Sequence, residues 1–152
     1  MEINTLQELS EKINQEIEIT KNLKCCKKYL DNYCGNDWKN FIKFDDIKYN
    51  RIELFRNKYF EILLICWDKN QITSIHKHPK NGCIFKTLDG ILYEKRYKSL
   101  ENITEYEQIT YYDKIKSSYI DDNIGVHQIG SKNIKSISIH IYSPPLFYSE
   151  KR

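Results

Sequence analysis

No stretch of this chain approaches the roughly 20 consecutive apolar residues that a membrane-spanning helix needs, so no helical membrane span is expected. The N-terminal residues from Met1 to Glu18 carry many charges and lack the apolar core of a signal peptide. A concentrated basic face is missing too. With a net charge of +3 over 152 residues and both signs interspersed, the lysine-rich surface reads as solubility rather than as a nucleic-acid footprint. The even cysteine count of a disulfide framework is also absent, because Cys25, Cys26, Cys34, Cys66 and Cys83 make five, two of them adjacent. Such thiols fit a reducing compartment, with most of them buried as small hydrophobes. The expectation is a cytoplasmic monomer with neither membrane nor nucleic acid as partner. Alanine does not occur at all, while Ile, Lys, Asn and Tyr abound. This is a compositional trait to which no function is assigned.

What is present suits one domain, since a chain of this size buries roughly 70% of its unfolded surface. Residues 1–45 read as helical. Thr5 with Glu8 three positions on is a capping box, and Leu6, Leu9, Ile13 and Ile17 follow at helical spacing. A second helix is expected from about Ile19 to Leu30, with Leu23, Cys26 and Leu30 on its apolar face, and a short one around Trp38 to Ile42. Residues 46–146 change character, and 147–152 read as a short tail. Runs rich in Ile, Tyr, Phe and Thr alternate with turn residues. The expected strands are Tyr49–Leu54, Tyr59–Trp67, Thr73–His78, Cys83–Leu88, Ile91–Tyr97, Glu105–Tyr112, Ser118–Ile120, Val126–Ile129 and Ile137–Tyr142. Asp89-Gly90 reads as a hairpin turn. The implied fold class is mainly β, a small barrel or sandwich preceded by N-terminal α-helices.

Four histidines fall in this β region. His76 and His78, two apart on a strand, would share a face and suit one metal, although from the spacing alone two surface or satisfied core histidines are the commoner case. Ser138, His140 and Tyr142 share one face of a period-2 strand, with Ile137, Ile139 and Ile141 on the other. That polar face is either solvated or turned into an enclosed barrel. In the second case its groups need partners, because each unpaired buried polar group costs about 1–3 kcal/mol. A hydrogen-bonded relay from Ser138 through His140 to Tyr142 would supply them.

The pattern His76-x-His78-x4-Cys83-x6-Gly90 resembles the first cupin motif, with Cys83 where Glu is usual. Gly125-Val126-His127 resembles the start of the second. Beyond this, Cys66-Trp67 followed by Ser74-Ile75-His76-Lys77-His78, the Ser138-to-Pro145 segment and Tyr49-Asn50-Arg51 resemble cysteine dioxygenases over nearly the whole chain. The resemblance implies a cupin-type, jelly-roll-like barrel. It also implies one Fe(2+) per chain on His76, His78 and His127, and oxidation of L-cysteine by O2 to cysteine sulfinic acid. Arg51 and Tyr49 would seat the substrate carboxylate. Tyr142, oriented by His140 and Ser138, would serve bound oxygen, and Cys83 would be the thioether partner of Tyr142. The departures from the family are the short loop from His127 to His140, an end soon after Pro145, and Gly82 where animal enzymes carry histidine. A dioxygenase for 3-mercaptopropionate, cysteamine or an N-terminal cysteine, or a non-catalytic metal-binding cupin, are the other readings. Arg51 favours cysteine among the thiols, and the Ser138/His140/Tyr142 set disfavours mere binding.

Overall fold

The computed structural model describes residues 1–103, 106, 108–113 and 116–145. Leu9, Ile13 and Ile17 recur every four residues and form the buried face of α1 (Leu6–Thr20). Thr5 Oγ1 accepts from the Glu8 N–H at 3.0 Å, and the Glu8 carboxylate turns back to the N–H of Asn4, also at 3.0 Å. Lys21, left-handed at φ 57°, ends the helix. The expected single helix from Ile19 to Leu30 is corrected here. Ile19 still belongs to α1, the Asn22 side chain caps a separate 3-10 turn (Leu23–Cys26), and α2 (Lys27–Asp31) follows. The cause is the pair Lys21-Asn22, which closes one helix and opens the next. Leu23, Cys26 and Leu30 still mark the buried side. A further 3-10 turn covers Asp37–Phe41.

Eight strands follow among the described residues: β1 (Asn50–Arg56), β2 (Glu61–Trp67), β3 (Cys83–Asp89), β4 (Leu92–Tyr97), β5 (Gln108–Tyr112), β6 (Ser118–Ile120), β7 (Val126–Gly130) and β8 (Ser136–Tyr142). They build a five-stranded sheet, ordered β1-β2-β8-β3-β6, and a three-stranded sheet, ordered β5-β4-β7. All pairings are antiparallel.

Every residue of β2 and β8 is buried, because the larger sheet is covered on both faces. Ile62, Leu64, Ile137, Ile139 and Ile141 pack with Leu9, Ile13 and Ile17 of α1. Leu63, Ile65, Trp67, Phe85 and Tyr142 turn inward and cluster with Leu92 and Ile129 of the smaller sheet. The alternation in β8 therefore separates two buried faces, not a buried and a wet one. A solvated Ser138/His140/Tyr142 face is excluded, since these residues are 0%, 2% and 8% exposed. Lys86 of β3 fastens the helical layer to the sheet. Its ammonium donates to the carbonyls of Leu30, Asp31 and Tyr33 at 3.2, 3.3 and 3.0 Å, groups left over at the end of α2.

Two further expectations are corrected. Thr73–His78 is not a strand: the chain leaves the larger sheet after β2 and meets β7 only at isolated bridges, Ile72 with Gly130 and His76 with His127. The crossing is too brief for a ladder. Asp89-Gly90 does turn, with Gly90 at φ 77°, but β3 and β4 lie in different sheets, so the turn is a corner between layers and not a hairpin. β5 begins at Gln108. Glu105, at which that strand was expected to open, and residues 146–152 lie outside the described residues.

Candidate metal centre and adjoining cavity

The bridge between His76 and His127 does what the expected strand was meant to do. The His76 N–H donates to His127 O at 2.9 Å and the His127 N–H donates to His76 O at 3.2 Å, which sets the two residues opposite one another. His78, two residues further on, brings its ring to 4.4 Å from that of His127 and 5.6 Å from that of His76. The nitrogens of His76, His78 and His127 lie within 4.8 Å of one another.

Each ring is oriented from behind. His76 Nδ1 is 2.8 Å from the carbonyl of Ser74, His78 Nδ1 is 3.3 Å from Asp122 Oδ1, and His127 Nδ1 is 2.7 Å from Glu94 Oε2. These partners only accept, so each Nδ1 carries its ring's hydrogen and each Nε2 is left with a lone pair. Those lone pairs converge: Nε2 of His76 and of His127 stand 3.0 Å apart. Two acceptors at that distance repel unless a cation joins them. About 3 Å is also the spacing of two nitrogens set at right angles on a metal with bonds of ~2.1 Å. His78 Nε2 is buried and has no partner among the described residues. The donor set therefore fits a metal ion, and among the described residues no carboxylate joins the converging atoms.

Cys83, where a carboxylate ligand would be usual, instead faces Tyr142 across the β3–β8 pair. The two share a side-chain hydrogen bond, while burial pushes the Cys83 thiol far up from its ordinary range. Beside the histidines a cavity opens, lined by Tyr49, Arg51, Glu61, His76, His140 and Tyr142 among others. The Arg51 guanidinium lies 5.5 Å from the centre of the Tyr142 ring. Tyr49 stacks on Trp67 at 4.9 Å. Where Gly82 stands at φ 90°, a side chain would meet the hydroxyl of Tyr119, 2.7 Å from an added Cβ.

The expected relay is only half built. Trp67 Nε1 donates to Ser138 Oγ at 2.9 Å, and Ser138 Oγ lies 2.7 Å from His140 Nε2. The serine's own hydrogen has His140 as its acceptor, which places the imidazole proton on Nδ1. That atom is buried without a partner among the described residues. His140 and Tyr142 are stacked, with ring centroids 6.1 Å apart and planes inclined by 12°, rather than hydrogen-bonded through an imidazole nitrogen. The reason is the strand's period: residues two apart stand side by side on one face, so their flat rings lie parallel.

Burial holds His127 and His140 well below the ordinary histidine range, with neighbouring positive charge adding to the effect. The unfolded chain takes up these protons near pH 6.5, and the folded metal-free protein does not. Their contribution to stability is thus complete above about pH 6.5 and is lost as pH falls below it, by up to about 1.4 kcal/mol per pH unit for each group. Urea unfolding of the metal-free protein from about pH 8 to about pH 5 should show a falling midpoint on the acid side. A flat profile would contradict neutral, buried imidazoles.

Sequence reasoning missed Glu94, Asp122, Arg96 and Tyr112. A signal for Glu94 existed: it shares the period-2 phase of Leu92, hence the inward face of β4. Its burial, complete in the structure, marks a charged group held for a reason other than solubility.

Two packed antiparallel sheets around three convergent imidazoles define a metal-binding cupin. Solved structures agree on the fold. TT1209 from Thermus thermophilus aligns over 72% of this chain and 95% of its own, at a TM-score of 0.60 and 13% identity. A cupin-2 domain containing protein from Shewanella frigidimarina aligns over 71% and 92%, at a TM-score of 0.54 and 13% identity. The family model for cysteine dioxygenase type I matches residues 2–151, and the chain belongs to that family. Cysteine dioxygenase type 1 of Danio rerio is 28% identical, covering 94% of this chain and 73% of that protein. The Homo sapiens protein of the same name is 32% identical, covering 72% of this chain and 58% of its own length.

Proposed function

We propose that the protein is an iron(II)-dependent thiol dioxygenase that converts L-cysteine and O2 to cysteine sulfinic acid, with one iron held by His76, His78 and His127. The observation that carries this reading is the set of three imidazole Nε2 donors, joined by no carboxylate among the described residues, opening on a cavity that contains Arg51. Three neutral ligands leave a ferrous ion its full positive charge and open positions, which favours an anionic chelating substrate. When bound, the iron supplies the anchoring of a thiolate and the redox chemistry that O2 requires.

The chain's own residues do the rest. Arg51, with Tyr49 beside it, takes the substrate carboxylate in two charge-assisted hydrogen bonds. Burial keeps His140 neutral, and Ser138 and Trp67 fix its ring, so that it presents the Nδ1 proton at the cavity wall. Tyr142 carries the hydroxyl that orients the oxygen end of the reaction, steadied by the Arg51 guanidinium over its ring. Ile65, Trp67 and Ile129 line the same cavity and limit water there. Cys83 and Tyr142 are the thioether pair, formed by loss of two hydrogen atoms to O2. The exposed free thiol of Cys34 fits a reducing compartment, the cytoplasm.

The test incubates iron-reconstituted protein with L-cysteine, 3-mercaptopropionate and cysteamine, following O2 consumption and identifying products by mass spectrometry. Cysteine sulfinic acid is the expected main product. Oxidation of none of these thiols would overturn the enzyme reading, and a preference for 3-mercaptopropionate would overturn the choice of substrate. The intact mass of turned-over protein, lower by two hydrogens, reports the thioether.

A further inference from the structure

We propose that Glu94 is a positioning residue for the metal centre, fixing His127 as a neutral Nε2 ligand and strengthening it as a donor while Arg96 holds the carboxylate's charge in check. The inference rests on the metal-centre reading above. Glu94 sits on β4 with no exposure to solvent. Its Oε2 lies 2.7 Å from His127 Nδ1, and its Oε1 accepts from Arg96 Nε at 3.0 Å and from the Tyr112 hydroxyl at 2.8 Å. Three donors on two oxygens describe an ionised, acceptor-only carboxylate.

Burying such a group inside a barrel is costly, and an apolar residue in phase with Leu92 would fill the space without that cost. What the carboxylate does there is directional. It holds the hydrogen of His127 on Nδ1, aims Nε2 at the point where the imidazoles converge, and feeds electron density into the ring. His76 has a neutral backbone carbonyl behind it, and His78 has Asp122 at a longer 3.3 Å with a half-exposed side chain. His127 is thus the ring whose orientation depends most on a fully buried carboxylate.

Arg96 completes the device. Its Nη2 donates to Ser118 Oγ at 3.2 Å and to the carbonyl of Tyr119 at 3.1 Å, so the guanidinium is anchored independently of Glu94. A fixed cation behind a fixed anion sets how much negative charge the metal feels. The two residues should therefore shift the centre's redox balance in opposite directions.

Glu94→Gln keeps an acceptor for His127 but removes the charge. In competition with a chelator, cobalt(II) should bind this variant roughly 10-fold more weakly than the native protein, and Glu94→Ala up to roughly 100-fold more weakly. Circular dichroism of the metal-free variants reports whether the fold is kept, and the Gln variant decides if the Ala variant does not fold. With iron bound, the midpoint potential should rise in Glu94→Gln and fall in Arg96→Gln. Simple loosening of the barrel would move both the same way. Native protein that fails to bind cobalt(II) overturns the metal-centre reading and this inference with it. Tight native binding with Glu94→Gln unchanged in affinity and potential, or shifts of both variants in one direction, overturns the role of Glu94 alone.

Discussion

His76→Ala should abolish cysteine oxidation while leaving the fold intact. His76 is the cleanest of the three histidines to remove, because it is partly exposed and its Nδ1 rests on a backbone carbonyl rather than on a buried side chain. Removing His127 would instead leave Glu94, Arg96 and Tyr112 without the partner around which they are arranged. Structural zinc sites with four protein ligands bind with ~10–16 kcal/mol, so one ligand is worth about 2.5–4 kcal/mol, and its loss should weaken metal binding roughly 60–700-fold. Cobalt(II) titration of the variant measures this directly, and O2 uptake with cysteine should fall to background. The urea midpoint of the metal-free variant should stay at or slightly above the native value, because the repulsion between the two Nε2 lone pairs 3.0 Å apart is gone. Native-like metal affinity in His76→Ala would remove the three-histidine centre as an explanation of the site.

How much of this could be read from the chain depends on which periodicity carried the signal. The Ser138–Tyr142 strand was legible because both of its faces are chemically uniform, isoleucine on one and polar groups on the other. Only the three-stranded sheet, packed over the inward side of β8, decided that the polar face was dry. His76 and His78 were legible as a pair for a reason that did not hold: the residues between β2 and β3 make no strand, and their convergence comes from a single bridge to His127. That bridge is a contact between residues 51 positions apart, and no local pattern encodes it. Asp89-Gly90 shows the converse. Its turn chemistry was correctly read, but whether a turn closes a hairpin or rounds a corner between sheets is settled by what else pairs with β3, namely β8 and β6. Glu94 was missed because a lone glutamate in a strand reads as exposed, and its partners Arg96, Tyr112 and His127 come from three different strands.

Arg51→Met should separate cysteine from cysteamine. On the proposed reading the guanidinium meets the substrate carboxylate, and hydrogen bonds to charged groups contribute about 1.5–3 kcal/mol, so kcat/KM for L-cysteine should fall roughly 10–100-fold. 3-Mercaptopropionate carries the same carboxylate and should lose activity with it. Cysteamine carries none. The variant also removes the cation 5.5 Å from the Tyr142 ring, and that loss is common to every substrate. The ratio between substrates cancels the shared effect and isolates the carboxylate contact. Methionine is chosen over alanine so that the volume beside Tyr142 stays filled and water does not replace the lost side chain. Equal losses for cysteine and cysteamine would mean that Arg51 acts only through Tyr142, and the preference for a carboxylate-bearing thiol would then have to lie elsewhere on the cavity wall, with Tyr49 the next group to test.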